Sequence, residues 1–352
     1  MIVTGVIFIL KVSINIQRRS RMAVTIKDVA ELAGVSTATV SRVINNEPGT
    51  TLSTRDKVRK AVAGSGYRVN TIARSLKTSR SKTIGLITPE IANDFFMNIA
   101  RGIEGALEKS GYSLIICNTN ESVEEEARRA ELLIEKSVDG VIVIPTTDTG
   151  IHFNVLRNAG IPVVFADRLT ADFNADAVVV DNKNGVYLAV SYLLAREQSK
   201  VAFIGGSIEL SNARERYEGY IQALEEYKLE PDKELVLVGN FHVDSGFLLM
   251  KQIMELDKPP EQVFIANDFM HMGAIKYLIA NGYKPDNSPR IGSFDDLELS
   301  SILGYASVTV AQPVMEIGSK AAELLLNRIE GNKNEPFETV QLQTDLKVAR
   351  MR

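Results

Sequence analysis

The 352-residue chain has a single cysteine, which rules out a disulfide framework and any site built from several thiolates. That residue, Cys117, sits in the apolar run SLIICN and reads as a buried structural side chain of a protein from a reducing compartment. Histidine is almost as scarce. His152, His242 and His271 are scattered without the spacing of a zinc site. The apolar opening, MIVTGVIFIL, is about half the roughly 20 residues of a membrane span. Its first cation, Lys11, follows the run, whereas a secretory signal places it before. Residues 1–21 therefore read as a disordered or untranslated extension. The Gly pair of FIGGS follows a strand but lacks the phosphate-loop and dinucleotide patterns, and no nucleophile elbow is present. Asp295 and Asp296 are neighbours that point apart and make no acid–base pair. Neither catalysis nor a cofactor is expected.

What the chain does have is an uneven distribution of charge. Its composition, 45% hydrophobic and 24% charged, is that of a globular protein, and its net charge is −4. Residues 22–82 hold eleven Lys/Arg against four Asp/Glu, a charge of +7, and residues 1–21 add four cations. The remaining residues, 83–352, therefore carry −15. A small basic module on a large acidic body implies a polyanionic partner for the module alone.

The rhythm of the sequence changes at the same place. Residues 22–69 read as helices only, and residues 70–82, NTIARSLKTSRSK, as a basic connector. From Thr83 onward, short Val/Ile runs such as TIGLIT, DGVIVIP and KVAFIGG alternate with amphipathic helices. Runs of that kind suit strands buried on both faces, and the alternation implies βαβ units in parallel sheets. Two successive series predict an α/β core of two doubly wound lobes, with a ligand cleft beyond the carboxyl ends of the strands. ETVQLQTDLKV is expected to be the last strand.

Within KDVAELAGVSTATVSRVIN the helical period appears twice. Thr25 is placed to cap a first helix whose apolar side is Ile26, Val29, Ala30, Leu32 and Ala33, and Gly34 ends it. Ser36 caps a second helix with Val40, Val43 and Ile44 inward. A third helix, STRDKVRKAVAGSGY, is expected to be capped by Ser53 and to pack Val58, Ala61 and Val62. A helix–turn–helix of this kind inserts its second helix into the major groove of DNA. The reading face then comprises Thr37, Ala38, Thr39, Ser41, Arg42 and Asn45. Arg42 can fork onto guanine, Thr37 and Ala38 can touch thymine methyls, and Lys57, Arg59 and Lys60 can hold phosphates.

VTIKDVAELAGVSTATVSRVIN followed by YRVNTIARSLK resembles the lactose/galactose repressor (LacI/GalR) family of bacterial transcription regulators, and the likeness runs through the chain from Val24. The resemblance implies a helix–turn–helix headpiece, a hinge helix and a core similar to periplasmic sugar-binding proteins. It implies that Asn70, Ala73 and Leu76 belong to a hinge helix that enters the minor groove, with Leu76 as the wedge. In the core it implies an N-lobe of about 83–179 and 311–339, and a C-lobe of about 180–310 and 340–352. The effector residues it suggests are Arg214 and Asp295, with Asp167, Asn267, Asp268 and Gln312 at strand ends and Phe95, Phe96 and Phe241 as apolar faces. The expected protein is a cytoplasmic, homodimeric repressor that binds an operator and a sugar-like effector. Sugar-type ligands usually release DNA in this family, and purine-type ligands act as co-repressors. Two rivals stand beside it: a regulator answering to a phosphocarrier protein, and a solute-binding protein of a transporter.

Overall fold

Thr25, Ser36 and Thr51 open the first three helices in the same way, each accepting a backbone N–H from the residue three positions on. The computed structural model describes residues 24–67, 80–196, 199–331 and 335–349. The extension 1–21 and the hinge positions Asn70, Ala73 and Leu76 lie outside the described residues. Contacts divide the chain into two units, residues 1–81 and 82–352.

In the first unit, α1 (Ile26–Ala33) carries a reciprocal cap. Thr25 N donates to Asp28 Oδ2 at 2.8 Å, and Asp28 N donates to Thr25 Oγ1. Gly34 closes the helix at φ 64°, a left-handed turn that a side chain would oppose. The second helix is α2 (Thr37–Ile44) and the third is α3 (Leu52–Ser65). Thr51, not Ser53, caps α3, because the helix already includes Leu52 and Ser53. Val29, Val40 and Val58 are fully buried at the meeting point of the three helices. Leu32, expected on the inner side of α1, is 67% exposed. It lies roughly 110° around the helix from the mean direction of Ile26, Val29, Ala30 and Ala33.

Among its described residues the second unit holds twelve strands. In chain order they are β1 (Thr83–Thr88), β2 (Ser113–Asn118), β3 (Gly140–Val143), β4 (Val163–Ala166), β5 (Asp176–Val180), β6 (Val201–Gly205), β7 (Val236–Val238), β8 (Gln262–Ile265), β9 (Arg290–Phe294), β10 (Ala306–Ala311), β11 (Thr339–Leu342) and β12 (Asp345–Val348). They form two six-stranded sheets, ordered β11-β5-β4-β3-β1-β2 in the N-lobe and β12-β10-β9-β8-β6-β7 in the C-lobe. All pairs are parallel except β10 with β12. The N-lobe helices are α4 (Asp94–Lys109), α5 (Val123–Glu135), α6 (Asn154–Asn158) and, later in the chain, the helix Val314–Glu330. The C-lobe helices are α7 (Asn182–Arg196), α8 (Ser211–Glu226), α9 (Val243–Met254), α10 (Asp268–Ala280) and α11 (Glu298–Leu303), which makes Val314–Glu330 α12.

Two features differ from the sequence expectation. β2 is an edge strand, so Ile116 is exposed where burial on both faces was expected. The run expected to be one final strand is two: β11 pairs with β5 in one lobe, and β12 turns antiparallel beside β10 in the other. The N-lobe thus extends to Leu342, and the last crossing falls at residues 343–344. Without a Gly or Pro between them, two strands belonging to different sheets read as one.

Within the C-lobe, α9 and α10 meet backbone to backbone. A Cβ on Gly273 would come within 1.9 Å of Val243 O, and one on Gly246 within 2.0 Å of Met270 O. Gly273→Ala must therefore push the helices apart, at a cost of about 1–3 kcal/mol. The expected result is a melting temperature lower by roughly 2–10 °C in differential scanning calorimetry. Among the described residues, no helix is long and apolar enough to cross a membrane, and no group of His, Cys, Asp and Glu is placed to hold a metal ion.

Candidate functional sites

On the first unit, the short turn at Gly34 leaves one side of α2 uncovered. Thr37, Ala38, Arg42 and Asn45 are exposed there, and Thr39 and Ser41 are half-buried. Thr39 is engaged locally: its N–H and hydroxyl both meet Ser36 Oγ. Asn45 Nδ2 donates to Ser41 Oγ at 3.3 Å, whereas the Arg42 guanidinium makes no hydrogen bond or ion pair with any described residue. Lys57, Arg59 and Lys60 are exposed along α3, and Arg55 ties the α2–α3 loop by donating to Glu47 O and Thr50 Oγ1. The face offers one free guanidinium, small apolar and hydroxyl side chains, and flanking cations.

On the second unit, a cavity lies between the lobes at the carboxyl ends of the strands. Four of its residues adopt left-handed backbone without being glycine: Glu121 after β2 (φ 56°), Asp167 after β4 (φ 67°), Phe241 after β7 (φ 65°) and Asp295 after β9 (φ 69°). Strain of this kind persists where surrounding structure imposes it, and it concentrates at binding sites. Asn267 supplies part of that restraint. As the cap of α10 it accepts from Met270 N, and its Nδ2 donates to Phe241 O at 3.0 Å.

Arg216, buried on the inner side of α8, is the central cation. Its Nε donates to Asn182 Oδ1 (2.9 Å) and its Nη1 to Ala266 O (2.7 Å), while the guanidinium lies 3.8 Å from the ring centroid of Phe294. Asp295 accepts from Gln312 Nε2 at 2.6 Å. Asp167 accepts from Asn212 Nδ2 at 3.2 Å and has Arg168 Nε 3.3 Å from its carboxylate. Burial pushes the Asp295 carboxyl up to about 7, with the Asp268 and Asp167 carboxylates adding to the rise and Arg216 opposing it. Burial also raises Asp167 and Asp268 and lowers Arg216.

Of the effector positions expected from sequence, Phe95, Asp167, Phe241, Asn267, Asp268 and Asp295 line the cavity. Phe96 lies behind it, buried in the lobe core with its ring centroid 5.4 Å from that of Phe95. Gln312 stands behind Asp295. Arg214 is outside the cavity and half-exposed, donating to Ile208 O at 3.0 Å and lying 3.5 Å from Asp148. Arg216 takes the place expected of it, because residues two apart on a helix face nearly opposite ways. The same face of α8 buries Asn212, Gly219, Tyr220 and Ala223, in phase with Arg216 and not with Arg214. That period was present in SNARERYEGY. Sequence reasoning also missed Arg168, Asn212, Glu121 and His242, which carry no local signature.

Two family models match the chain: "Bacterial regulatory proteins, lacI family" over residues 25–70, and "Periplasmic binding proteins and sugar binding domain of LacI family" over residues 81–349. The HTH-type transcriptional repressor PurR of Vibrio atlanticus (strain LGP32) is 36% identical over 312 residues, covering 88% of this chain and 93% of that protein. PurR of Actinobacillus pleuropneumoniae serotype 3 is 32% identical over 93% of this chain and 97% of its own length. Among solved structures, the Lac repressor dimer bound to operator and the anti-inducer ONPF superposes with a TM-score of 0.81 at 26% identity, covering 93% of this chain and 99% of that one. The regulator CelR in complex with cellobiose gives 0.70 at 30% identity, over 92% and 98%. A regulator headpiece at residues 25–70 has no use in a transporter's solute-binding protein. The chain belongs to the LacI family of bacterial regulatory proteins and is a DNA-binding transcriptional repressor controlled by a small-molecule effector.

Proposed function

We propose that the effector is an uncharged, polyhydroxylated ligand of the sugar type, held between Phe95 and Phe241 with Arg216 and Asp295 on its hydroxyls. The observation carrying this reading is a pair of buried acceptors on the cavity wall without protein partners: Asp167 Oδ1 and Asn212 Oδ1. Buried acceptors ask for donors, and hydroxyl groups supply them. The cavity wall carries the carboxyl groups of Glu90, Glu121, Asp167, Asp268 and Asp295 against Arg168 and Arg216, and a phosphorylated or acidic sugar would add an anion beside carboxyls whose ionisation burial already opposes. Phenylalanine faces suit the C–H side of a pyranose. The protein acts as a cytoplasmic homodimer on a near-palindromic operator, as the family likeness supports, with Thr37, Ala38, Ser41 and Arg42 reading bases. Asn70, Ala73 and Leu76 serve as the minor-groove hinge. Calorimetry with neutral sugars, sugar phosphates, sugar acids and purine bases tests the reading, and tight binding of a purine or an anionic sugar overturns it.

The raised Asp295 gives this site a pH signature. A carboxyl whose folded value is near 7, above the usual 4 or so, is protonated in the folded state through the interval between them. Folded stability from this group is full below about pH 4 and declines as pH rises through 7. Effector binding runs the other way, because hydroxyls donating to Asp295 need its ionised form. Affinity is expected to rise by up to about tenfold per pH unit below 7 and to level off above. Asp295→Asn should weaken binding and flatten that profile, as read by calorimetry between pH 5.5 and about 8.

A further inference from the structure

The two lobes are tied together at one side of their sheets. The chain crosses between them after β5, after β10 and after β11, and β11 and β5 lie at one edge of the first sheet as β12 and β10 do in the second. The far edges are β2 and β7. The loop after β2 carries Glu121 and the loop after β7 carries His242, and His242 Nε2 lies 2.8 Å from Glu121 Oε2. Further in from that edge, Asp148, in the loop after β3, lies 3.5 Å from Arg214 in the first turn of α8.

Each of these groups stands on a loop or helix start fixed within its own lobe. Glu121 N donates to Pro89 O at 3.1 Å, and His242 N donates to Asn240 Oδ1 at 3.1 Å. Asp148 O accepts from Ala171 N at 2.7 Å, and the Arg214 side chain is steadied by Ile208 O. The His242–Glu121 hydrogen bond and the Asp148–Arg214 ion pair therefore form only when the lobes approach. For a rotation about the three crossings, contacts furthest from them separate first and exert the most leverage.

We propose that Glu121 with His242, and Asp148 with Arg214, form an electrostatic clasp that sets the ratio of closed to open cleft and so governs entry and retention of the effector. The clasp goes beyond the assignment of the effector, since it acts whichever ligand fills the cavity. It gives Arg214 a part in closing the site rather than in gripping the ligand. All four side chains are partly exposed, so each pair contributes about two- to fivefold to the closed-to-open ratio and is weakened by salt.

The test uses full-length protein without effector. Spin labels on Glu108→Cys in α4 and Glu225→Cys in α8 report the lobe separation by pulsed electron resonance, with labelled chains diluted into unlabelled ones. Cys117 is buried and stays unlabelled. Asp148→Arg and Glu121→Lys should each shift the distance distribution toward longer values, lowering the closed fraction by about two- to fivefold. The exchanged pair Asp148→Arg with Arg214→Asp should restore it. Raising salt from about 0.05 to about 0.5 M should open the unaltered protein and leave Glu121→Gln with Asp148→Asn unmoved. Distributions that ignore the single changes, or an exchanged pair that fails to recover the closed form in a fully folded protein, overturn the clasp whatever calorimetry says of the ligand.

Discussion

Arg216→Ala is expected to lower effector affinity by at least about 100-fold and to abolish the response of repression to the effector. The guanidinium is buried, makes two hydrogen bonds to the cleft framework and lies against Phe294. It also opposes the rise of Asp295 and Asp268 and, after Arg168, that of Asp167. Removing it takes away charge-assisted bonds to the ligand and leaves buried carboxylates without compensation, a combination worth about 3–5 kcal/mol. Arg216→Lys keeps a charge but not the planar fork, so it should fall between the two. Operator binding without effector should be nearly unchanged in both, because the reading face lies in the other unit. Arg214→Ala is the control: it removes one half-exposed pair and should alter affinity by no more than about fivefold. Calorimetry and operator gel shifts with and without effector separate these outcomes. Equal losses from Arg214→Ala and Arg216→Ala would show that the cavity does not divide the two arginines as its geometry says.

The contrast between those arginines shows what was legible in the sequence. The headpiece is written in local chemistry: Thr25 with Asp28, Ser36, and Gly34 at positive φ each act within one turn, so helices and order follow directly. The strands of the core were equally plain, because Val/Ile runs such as those of β3 and β6 are buried on both faces. Asp167 and Asp295 could be placed from their position just after a strand, though not their left-handed backbone or its restraint. The family likeness points to Arg214, whereas the helical period of Gly219, Tyr220 and Ala223 points to Arg216. The remaining parts of the site were not legible at all. Arg168 gains its role by lying near Asp167, Phe96 and Phe241, and Glu121 and His242 meet only because two loops about 120 residues apart face each other across the cleft. Such pairings belong to the packing of two lobes, which no single segment encodes.

Val58→Asp is expected to abolish operator binding while leaving effector binding intact. The described part of the headpiece, residues 24–67, buries only Val29, Ala30, Val40, Val43 and Val58. A core of that size rarely supplies more than about 3–5 kcal/mol. Val58 is fully buried where α1 and α2 meet α3, and no basic side chain belongs to that cluster to neutralise a carboxylate. Burying an unpaired charge there costs several kcal/mol, which consumes the whole margin, and the reading face of α2 loses its support. Duplex affinity should fall by over about 100-fold, with a loss of helical ellipticity equivalent to the three headpiece helices. The 82–352 unit has its own core and should melt at an unchanged temperature. Val58→Ala, which removes about 2 kcal/mol without adding charge, should give a partly populated headpiece whose DNA binding recovers on cooling toward its stability maximum. A Val58→Asp protein that still shifted operator duplexes with full affinity would mean that DNA is bound elsewhere on the chain, and Arg42 would lose its assignment with it.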